Sequence, residues 1–261
     1  MSSKNQKKLD IIQFKDYLCC TMNIAASIKN KINKLDSGEV FTYDTLGIPP
    51  NEFLAAAKAL SRLVEDDVIR RYKNGVYYKP KQTAFGELMP RETTLLDLYL
   101  FQKDKQIAYV TGLRLYNELG LTTQISNVVR VAGNKEIKAK IGNLVIKPAK
   151  AYVPVEENNV SLLQLLDVIK DFKNIPDMDK KRGITFLRKK IQELTDVEKN
   201  RLIAIAKAYP PKVRALLGAI LEALSLNSLS TSLKDSINYL STYKFGLSKS
   251  ILPTISNWNI S

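Results

Sequence analysis

The spacing of apolar residues changes from helical to strand-like between residues 50 and 81, which predicts a helix followed by a β-hairpin. Phe53, Ala57, Leu60 and Val64 recur at helical intervals and predict one apolar face. Asn51 follows Pro49-Pro50 and is the expected N-cap of this helix. The helix is rich in Ala and Leu and contains no Gly or Pro, so we expect it to continue to about Asp66.

The opposite face of the predicted helix carries Asn51, Lys58 and Arg62, which lie about half a turn from the apolar stripe. An arginine here suits a bidentate contact with a guanine edge, whereas Lys58 suits a phosphate. A solvated surface is the other interpretation of this pair.

Two β-prone runs, residues 68–72 and 76–79, follow the helix and are joined by Asn74-Gly75, a dipeptide that favours a tight hairpin turn. The hairpin and its flank carry basic residues and no acidic ones: Arg70, Arg71, Lys73, Lys79 and Lys81. A helix of the right diameter for the major groove beside a cationic ribbon matches the requirements of a DNA duplex. Tyr72, Tyr77 and Tyr78 are candidates for stacking on nucleic acid, although we expect at least one, Tyr77 first, to be core.

Upstream, Ile24, Ile28, Ile32 and Leu35 predict a first helix, followed by a short strand at 39–41. Thr42 is a suitable cap for a brief second helix over 43–46. Helix, strand, short helix, longer helix and hairpin is the element order of a winged helix-turn-helix. We therefore predict such a domain over residues 22–82, preceded by an extension at 1–21.

The remaining chain predicts a mixed α/β domain over residues 83–225 and a Ser-rich tail over 226–261. Residues 82–90 have the composition of a linker. Strands are predicted at 107–110, 128–132, 137–141 and 144–146, and amphipathic helices from residue 160 onward. The fold class is thus α+β, with an N-terminal winged helix-turn-helix and a mixed α/β domain that ends in a helical bundle.

Composition narrows the possible functions. Apolar residues make up 45% of the 261 and charged residues 25%, which is typical of a globular protein, and the formal charge of +14 favours an anionic partner. The chain has no histidine, so the commonest general base and metal ligand is missing. The adjacent Cys19 and Cys20 cannot join distant segments, and two thiols alone do not form a zinc site.

These observations favour a binding protein. We expect no catalytic residue, no metal and no cofactor. Asp177 and Asp179 resemble the paired aspartates of nucleotidyltransferases, but the Gly-Ser dipeptide that should precede them is absent. No run approaches a membrane span and no signal-peptide core is present, so we expect a cytoplasmic protein without a membrane partner.

Several phrases together carry a family resemblance: ALSRLVEDDVIRRYKNGVYYKP, FGELMP, YVTGLRLYNELGLTTQISNVVRVAGN and KAKIGNLVIKPA. Their order and spacing resemble the AbiE-type antitoxin family of type IV toxin-antitoxin and phage abortive-infection systems. The resemblance covers residues 22–225. The extension before Met22 and the tail after Asn227 depart from it.

The resemblance implies a transcriptional repressor whose winged helix binds double-stranded operator DNA in its own promoter. It also implies a second domain that counters a nucleotidyltransferase toxin, with the toxin and not this chain as the enzyme. The positions that match the family's DNA-reading part are Lys58, Ser61, Arg62, Arg70, Arg71 and Lys73.

Two other functional classes stay open. An RNA-binding or protein-interaction module would use the winged helix without operator recognition. A nucleic-acid enzyme would need acids such as Asp177, Asp179, Glu156 or Glu157 to hold a metal. The basic runs 130–150 and 180–190 are either solvated surface, a docking face for an acidic partner or a second nucleic-acid contact.

Overall fold

The fold is α+β, with small sheets and many short helices, and the computed structural model describes residues 24–102 and 105–261. The chain divides into two compact units, with the boundary between Asp97 and Leu98. The predicted extension at residues 1–21 lies outside the described residues. Within the described part of the chain, no helix combines the length and apolar character needed to cross a membrane.

The described part of the first unit contains helix α1, over residues 24–33, and a three-stranded antiparallel sheet in the order β1-β3-β2. The strands and the helix between them are β1 (Val40–Thr42), α2 (Phe53–Glu65), β2 (Arg70–Lys73) and β3 (Val76–Tyr78). The predicted hairpin is confirmed, since β2 pairs with β3 across the Asn74-Gly75 turn. Gly75 has a φ of 74°, which a tight turn needs and glycine adopts without strain.

The predicted short helix after Thr42 is a single turn instead. Thr45 Oγ1 accepts from the Thr42 backbone N–H at 2.7 Å and donates to the Thr42 carbonyl at 2.9 Å. These local side-chain bonds compete with a continuing helix. Gly47, with a φ of 59°, then ends the turn.

The buried face of α2 is rotated from the predicted stripe. Ala56, Ala59, Leu60 and Leu63 are buried and pack with Ile28, Ile32, Phe41, Ile69 and Tyr77. Phe53, which opens the predicted stripe, is 37% exposed. Periodicity did not distinguish the alanines of this Ala-rich helix from one another, so Ala56 and Ala59 form the contact face instead of Ala57.

The segment 82–90, expected to be a linker, forms most of a second hairpin, β4 (Lys81–Thr83) with β5 (Gly86–Leu88). Thr83 Oγ1 donates to the Gly86 carbonyl at 2.8 Å, and Gly86 adopts a φ of 105°. Phe85, at the tip, is fully exposed. Helix α3 (Glu92–Leu100) and the short strand pair β6 (Phe101–Gln102) and β7 (Lys105–Gln106) follow.

The second unit contains a four-stranded sheet in the order β10-β11-β9-β8. Its strands are β8 (Ala108–Thr111), β9 (Val128–Gly133), β10 (Ala139–Ile141) and β11 (Leu144–Lys150), and helix α4 (Leu113–Glu118) connects the first two. β9 and β11 are parallel, whereas β10 and β11 form the predicted hairpin across Gly142-Asn143.

The core of the second unit lies between this sheet and a layer of helices. The helices are α5 (Val160–Asp171), α6 (Lys180–Glu193), α7 (Asp196–Ala206), α8 (Pro211–Ala223) and α9 (Asn227–Lys234). The prediction of helices from residue 160 onward is confirmed by these bounds. Thr195 and Glu198 form a capping box at the start of α7, a signature visible in the sequence.

Residues 226–261, set apart as a tail by their composition, contribute to this core. Leu233, Phe245, Leu252, Ile255 and Trp258 are all at most 4% exposed and belong to the same apolar cluster as α5 and α8. The 3-10 helix Pro253–Trp258 packs against α8. The apolar positions that make this contact are widely spaced among frequent serines, which concealed them in the sequence.

A buried polar cluster centres on Asp167 of α5, which is fully buried. Its Oδ2 accepts from Tyr109 Oη at 3.1 Å and Thr111 Oγ1 at 2.6 Å, and its Oδ1 accepts from Lys170 Nζ at 2.8 Å. Tyr209 Oη also approaches Oδ1, at 3.5 Å. The cluster joins β8 of the sheet, α5 and the loop between α7 and α8 at one carboxylate.

We expect alkaline pH to destabilise the second unit. Burial, together with nearby carboxylates, raises the pKa of Tyr109, Tyr116 and Tyr209 above the usual 10.0. The unfolded chain therefore loses these protons at a lower pH than the folded one, and the free energy of unfolding falls as pH rises above about 10. The chain has 12 tyrosines, so the last part of the rise in tyrosinate absorbance at 295 nm, which comes from the buried ones, should coincide with the loss of circular dichroism. Ionisation of these tyrosines in a chain that keeps its native dichroism would contradict this prediction.

Candidate nucleic-acid interface

The exposed face of α2 carries Lys58, Ser61 and Arg62, as the sequence predicted. Lys58 and Arg62 lie one turn apart, and their side chains form no hydrogen bond or ion pair with any described residue. The same side of the helix presents Leu54, which is 81% exposed and was not predicted as a contact residue. This face therefore offers two cations, a hydroxyl and an aliphatic group to a ligand.

Asn51 is exposed but does not cap α2. It lies in the 3-10 turn Pro50–Glu52, and the helix begins at Phe53 with no side-chain cap at Glu52. The prediction that Asn51 is the N-cap was wrong because the two prolines favour a tighter first turn. The Asn51 amide still precedes the exposed face of the helix.

Arg71 and Lys73 are exposed on β2, one of the two edge strands of the sheet. Arg71 donates through Nη2 to Asn74 Oδ1 in the turn, which holds the guanidinium at the end of the hairpin. A register irregularity between Arg71 and Lys73 marks a bulge in this strand.

Arg70 is engaged within the fold, unlike the prediction that it contacts DNA. Its guanidinium pairs with Asp67 at 2.7 Å and with Glu87 of β5 at 3.0 Å. Glu87 also accepts from Tyr78 Oη at 3.1 Å, so the carboxylate joins the second hairpin to the sheet. No signal in the sequence near Arg70 identifies Glu87, which lies 17 residues away.

Lys79 is also engaged within the fold. Its Nζ donates to the carbonyls of Leu35 at 2.7 Å and Asn33 at 3.2 Å, at the C-terminal end of α1. A cation at this position satisfies unpaired carbonyls and interacts favourably with the helix dipole. This contact removes Lys79 from the set of cations available to a phosphate.

Two of the three hairpin tyrosines belong to the core. Tyr77, the expected core residue, is 4% exposed and Tyr78 is 6% exposed, whereas Tyr72 is half-buried. The Tyr77 hydroxyl lies 3.5 Å from that of Tyr43. Burial is the main cause, and this contact the next, that raises the pKa of Tyr43 to about 12. Only Tyr72 stays available for stacking.

The aspartates that superficially suggested a metal site have structural roles. Asp179 caps α6 by accepting from the Arg182 backbone N–H at 2.6 Å, and Asp177 accepts from Gln124 Nε2 at 3.0 Å. Among the residues that the structure describes, no group of three or more His, Cys, Asp or Glu side chains is placed to hold a metal ion.

Comparisons with known proteins place the chain in a family. Among solved structures, the chain is similar to one described as "Crystal structure of RV2827C protein from Mycobacterium tuberculosis", with 8% sequence identity, 85% coverage of each chain and a TM-score of 0.47. No curated protein matches the chain. Residues 27–203, more than half of the chain, match the model of a family described as "Family of unknown function (DUF6088)". The protein is therefore a member of the DUF6088 family.

Proposed function

We propose that this protein is a DNA-binding transcriptional regulator that acts as the antitoxin of a type IV toxin-antitoxin system. The observation that carries the DNA-binding part is the exposed, unpaired Lys58 and Arg62 on one face of α2, followed in the chain by a cationic hairpin. A helix of this diameter fits the major groove, and cations beside it contact phosphates.

The element order of the first unit supports a winged helix as the DNA-binding module. α1, β1, a turn, α2 and the β2–β3 hairpin follow one another, and the strands pair in the order β1-β3-β2. The single turn at 43–47 takes the place of a second helix. In this proposal α2 reads the groove and the β2–β3 hairpin is the wing.

The proposed interface uses fewer of the basic residues than the sequence suggested. Lys58, Ser61, Arg62, Arg71 and Lys73 face outward, whereas Arg70 and Lys79 serve the fold. Arg62 contacts a base edge in this proposal, Lys58 and the hairpin cations contact phosphates, and Asn51 lies at the helix entrance. The antitoxin role rests on the family resemblance of residues 22–225. It implies repression of the chain's own operon and a nucleotidyltransferase toxin as the functional partner.

Arg62→Ala and Lys58→Ala should weaken DNA binding in different ways. Loss of a bidentate guanine contact should cost Arg62→Ala about 1–3 kcal/mol on the promoter duplex and relax its sequence preference. Lys58→Ala should weaken binding to specific and non-specific duplexes alike. It should also lower the salt dependence of the affinity by the amount expected for about one phosphate contact. Gel shifts over a salt series on the chain's own promoter and on a scrambled duplex measure both effects.

Lys29→Ala is the matched control, because Lys29 is an exposed cation of α1 outside the proposed interface. The affinity of Lys29→Ala for the promoter duplex should stay near that of the unmodified protein. Unchanged affinity in Arg62→Ala and in Arg71→Ala would remove the DNA-reading assignment. Competition by single-stranded RNA in preference to the promoter duplex would favour the RNA-binding alternative.

A further inference from the structure

The four-stranded sheet of the second unit gathers basic residues from three strands on one face. Lys147 of β11 pairs with Arg130 of β9, and Lys140 of β10 pairs with Val145, which in turn pairs with Val128. Residues that pair directly across strands point to the same face, and so do residues two apart along one strand. Arg130, Lys140, Lys147, Val128 and Val145 therefore share a face.

Only one half of that face is covered by the unit's own core. Tyr109, Ala132 and Ala149 lie on it and pack in the apolar cluster that contains α5. In the other half Arg130, Lys140 and Lys147 are exposed, and Val128 and Val145 are half-buried. We call this open half, defined by these five residues, the basic sheet face.

The charges of the basic sheet face are not balanced within the fold. Its three cations form no ion pair with any residue that the structure describes. Like charges directly opposite each other, such as Arg130 and Lys147, destabilise a sheet. Some cations elsewhere in the unit do have partners: Lys199 pairs with Asp196 at 3.2 Å, and Lys190 pairs with Glu193 at 2.9 Å.

Arg130 is also held in place at the edge of a cavity. A Cβ built on Gly112 would lie 3.1 Å from Arg130 Cδ, so the arginine stem runs along the glycine backbone. The adjacent cavity, of about 360 Å³, is lined by Arg130, Tyr116, Asp171 and Asn174 among others. An arginine whose aliphatic stem is packed in this way loses less conformational entropy when its guanidinium binds a carboxylate.

The apolar neighbours of these cations favour a protein as the anionic partner. Ile125, three residues before β9, is 86% exposed, and two half-buried valines lie among the cations. None of the five positions is aromatic, whereas single-stranded nucleic acid is held by stacking on aromatic rings. A duplex backbone presents phosphates but no aliphatic surface. Carboxylates together with aliphatic side chains match both features.

We propose that the basic sheet face docks a partner protein through an acidic segment that also carries aliphatic residues. The carboxylates of this segment pair with Arg130 and Lys147, and its aliphatic side chains contact Val128, Val145 and Ile125. This inference goes beyond the proposed DNA binding and does not depend on it, because it concerns the second unit alone.

A displayed library of random 12-residue peptides, selected on the full-length protein, tests the proposal. Selected peptides should be enriched in Asp and Glu beside Leu, Ile or Val. Fluorescence polarisation with synthetic copies should show a loss of about tenfold or more in Arg130→Glu/Lys147→Glu, which corresponds to about 1.4 kcal/mol. Ile125→Ser should weaken the same peptides without any change in net charge.

Lys181→Glu/Lys189→Glu is the matched control, with the same change in net charge on exposed lysines of α6. Its peptide affinity should stay within about twofold of the unmodified protein, well below the expected tenfold loss. Lys147→Glu alone keeps the Arg130–Gly112 contact and should still weaken binding. Trp258 is the only tryptophan, so its fluorescence during denaturant unfolding checks the fold of each variant. Each variant should unfold at the same denaturant concentration as the unmodified protein.

Three outcomes would overturn the proposal. The selected peptides lack acidic residues, or they bind both double variants equally well. The third outcome is that no acidic peptide is selected, while a 20-nucleotide RNA or a 20-base-pair duplex binds the protein and this binding is lost in Arg130→Glu/Lys147→Glu. The face would then be a nucleic-acid contact. Arg62→Ala should leave peptide binding unchanged, so failure of this proposal and failure of DNA reading are distinguished.

Discussion

Replacement of Trp258 by alanine should destabilise the second unit by about 3–5 kcal/mol, as large-to-small changes at buried aromatic residues do. Trp258 is 1% exposed, its Nε1 donates to Glu222 Oε2 at 2.6 Å, and its ring packs on α8 at Gly218. The variant removes this packing and leaves a cavity. Urea unfolding followed by circular dichroism measures the loss.

Gly218→Ala should destabilise the same contact from the other side. A Cβ at Gly218 would overlap the six-membered ring of Trp258, and a rigid aromatic in a packed core cannot move aside cheaply. The double variant Gly218→Ala/Trp258→Ala should cost less than the sum of the single changes, because the added methyl group then enters the space left by the indole. This double-mutant cycle thus tests the contact between Gly218 and the Trp258 ring.

Val197→Ala is the control for these variants, since Val197 is an apolar residue that is 71% exposed on α7. It should change stability by no more than about 0.5 kcal/mol. A Trp258→Ala protein that unfolds within about 1 kcal/mol of the unmodified one would contradict the placement of residues 226–261 in the core.

Replacement of Asp167 by alanine should cost about 3–5 kcal/mol, the range for breaking a buried ion pair. Lys170 Nζ would lose its 2.8 Å partner and keep the weaker contacts to Asp171 at 3.9 Å and to the Tyr152 ring, while its side chain is 19% exposed. The hydroxyls of Tyr109 and Thr111 would lose their acceptor as well. Trp258 fluorescence during urea unfolding reports the change within the same unit.

Asp196→Ala provides a matched control on α7. Asp196 forms an Asp–Lys pair of the same i,i+3 spacing with Lys199, at 3.2 Å, but its side chain is 95% exposed. Solvent screening limits such a pair to about 0–1 kcal/mol. Equal effects in Asp167→Ala and Asp196→Ala would mean that the Asp167 cluster is not a buried network.

Local patterns in the sequence determined much of this protein. The α2 helix, the β2–β3 hairpin at Asn74-Gly75 and the strands and helices between residues 107 and 224 follow from apolar periodicity and turn residues. The exposure of Lys58 and Arg62 follows in the same way, since a helical repeat separates them from the buried face. These features depend on residues within one or two helical turns of each other, and such information is present in a single chain.

Only the tertiary structure decided which cations face outward and which serve the fold. In sequence, Arg70 and Lys79 look equivalent to Arg71 and Lys73. In the structure, however, Arg70 pairs with Glu87, and Lys79 donates to carbonyls at the end of α1. Asp167, Trp258 and the basic sheet face likewise depend on partners 40 or more residues away or on strand register. Pairing between distant segments follows from how the whole chain packs, which local periodicity does not encode.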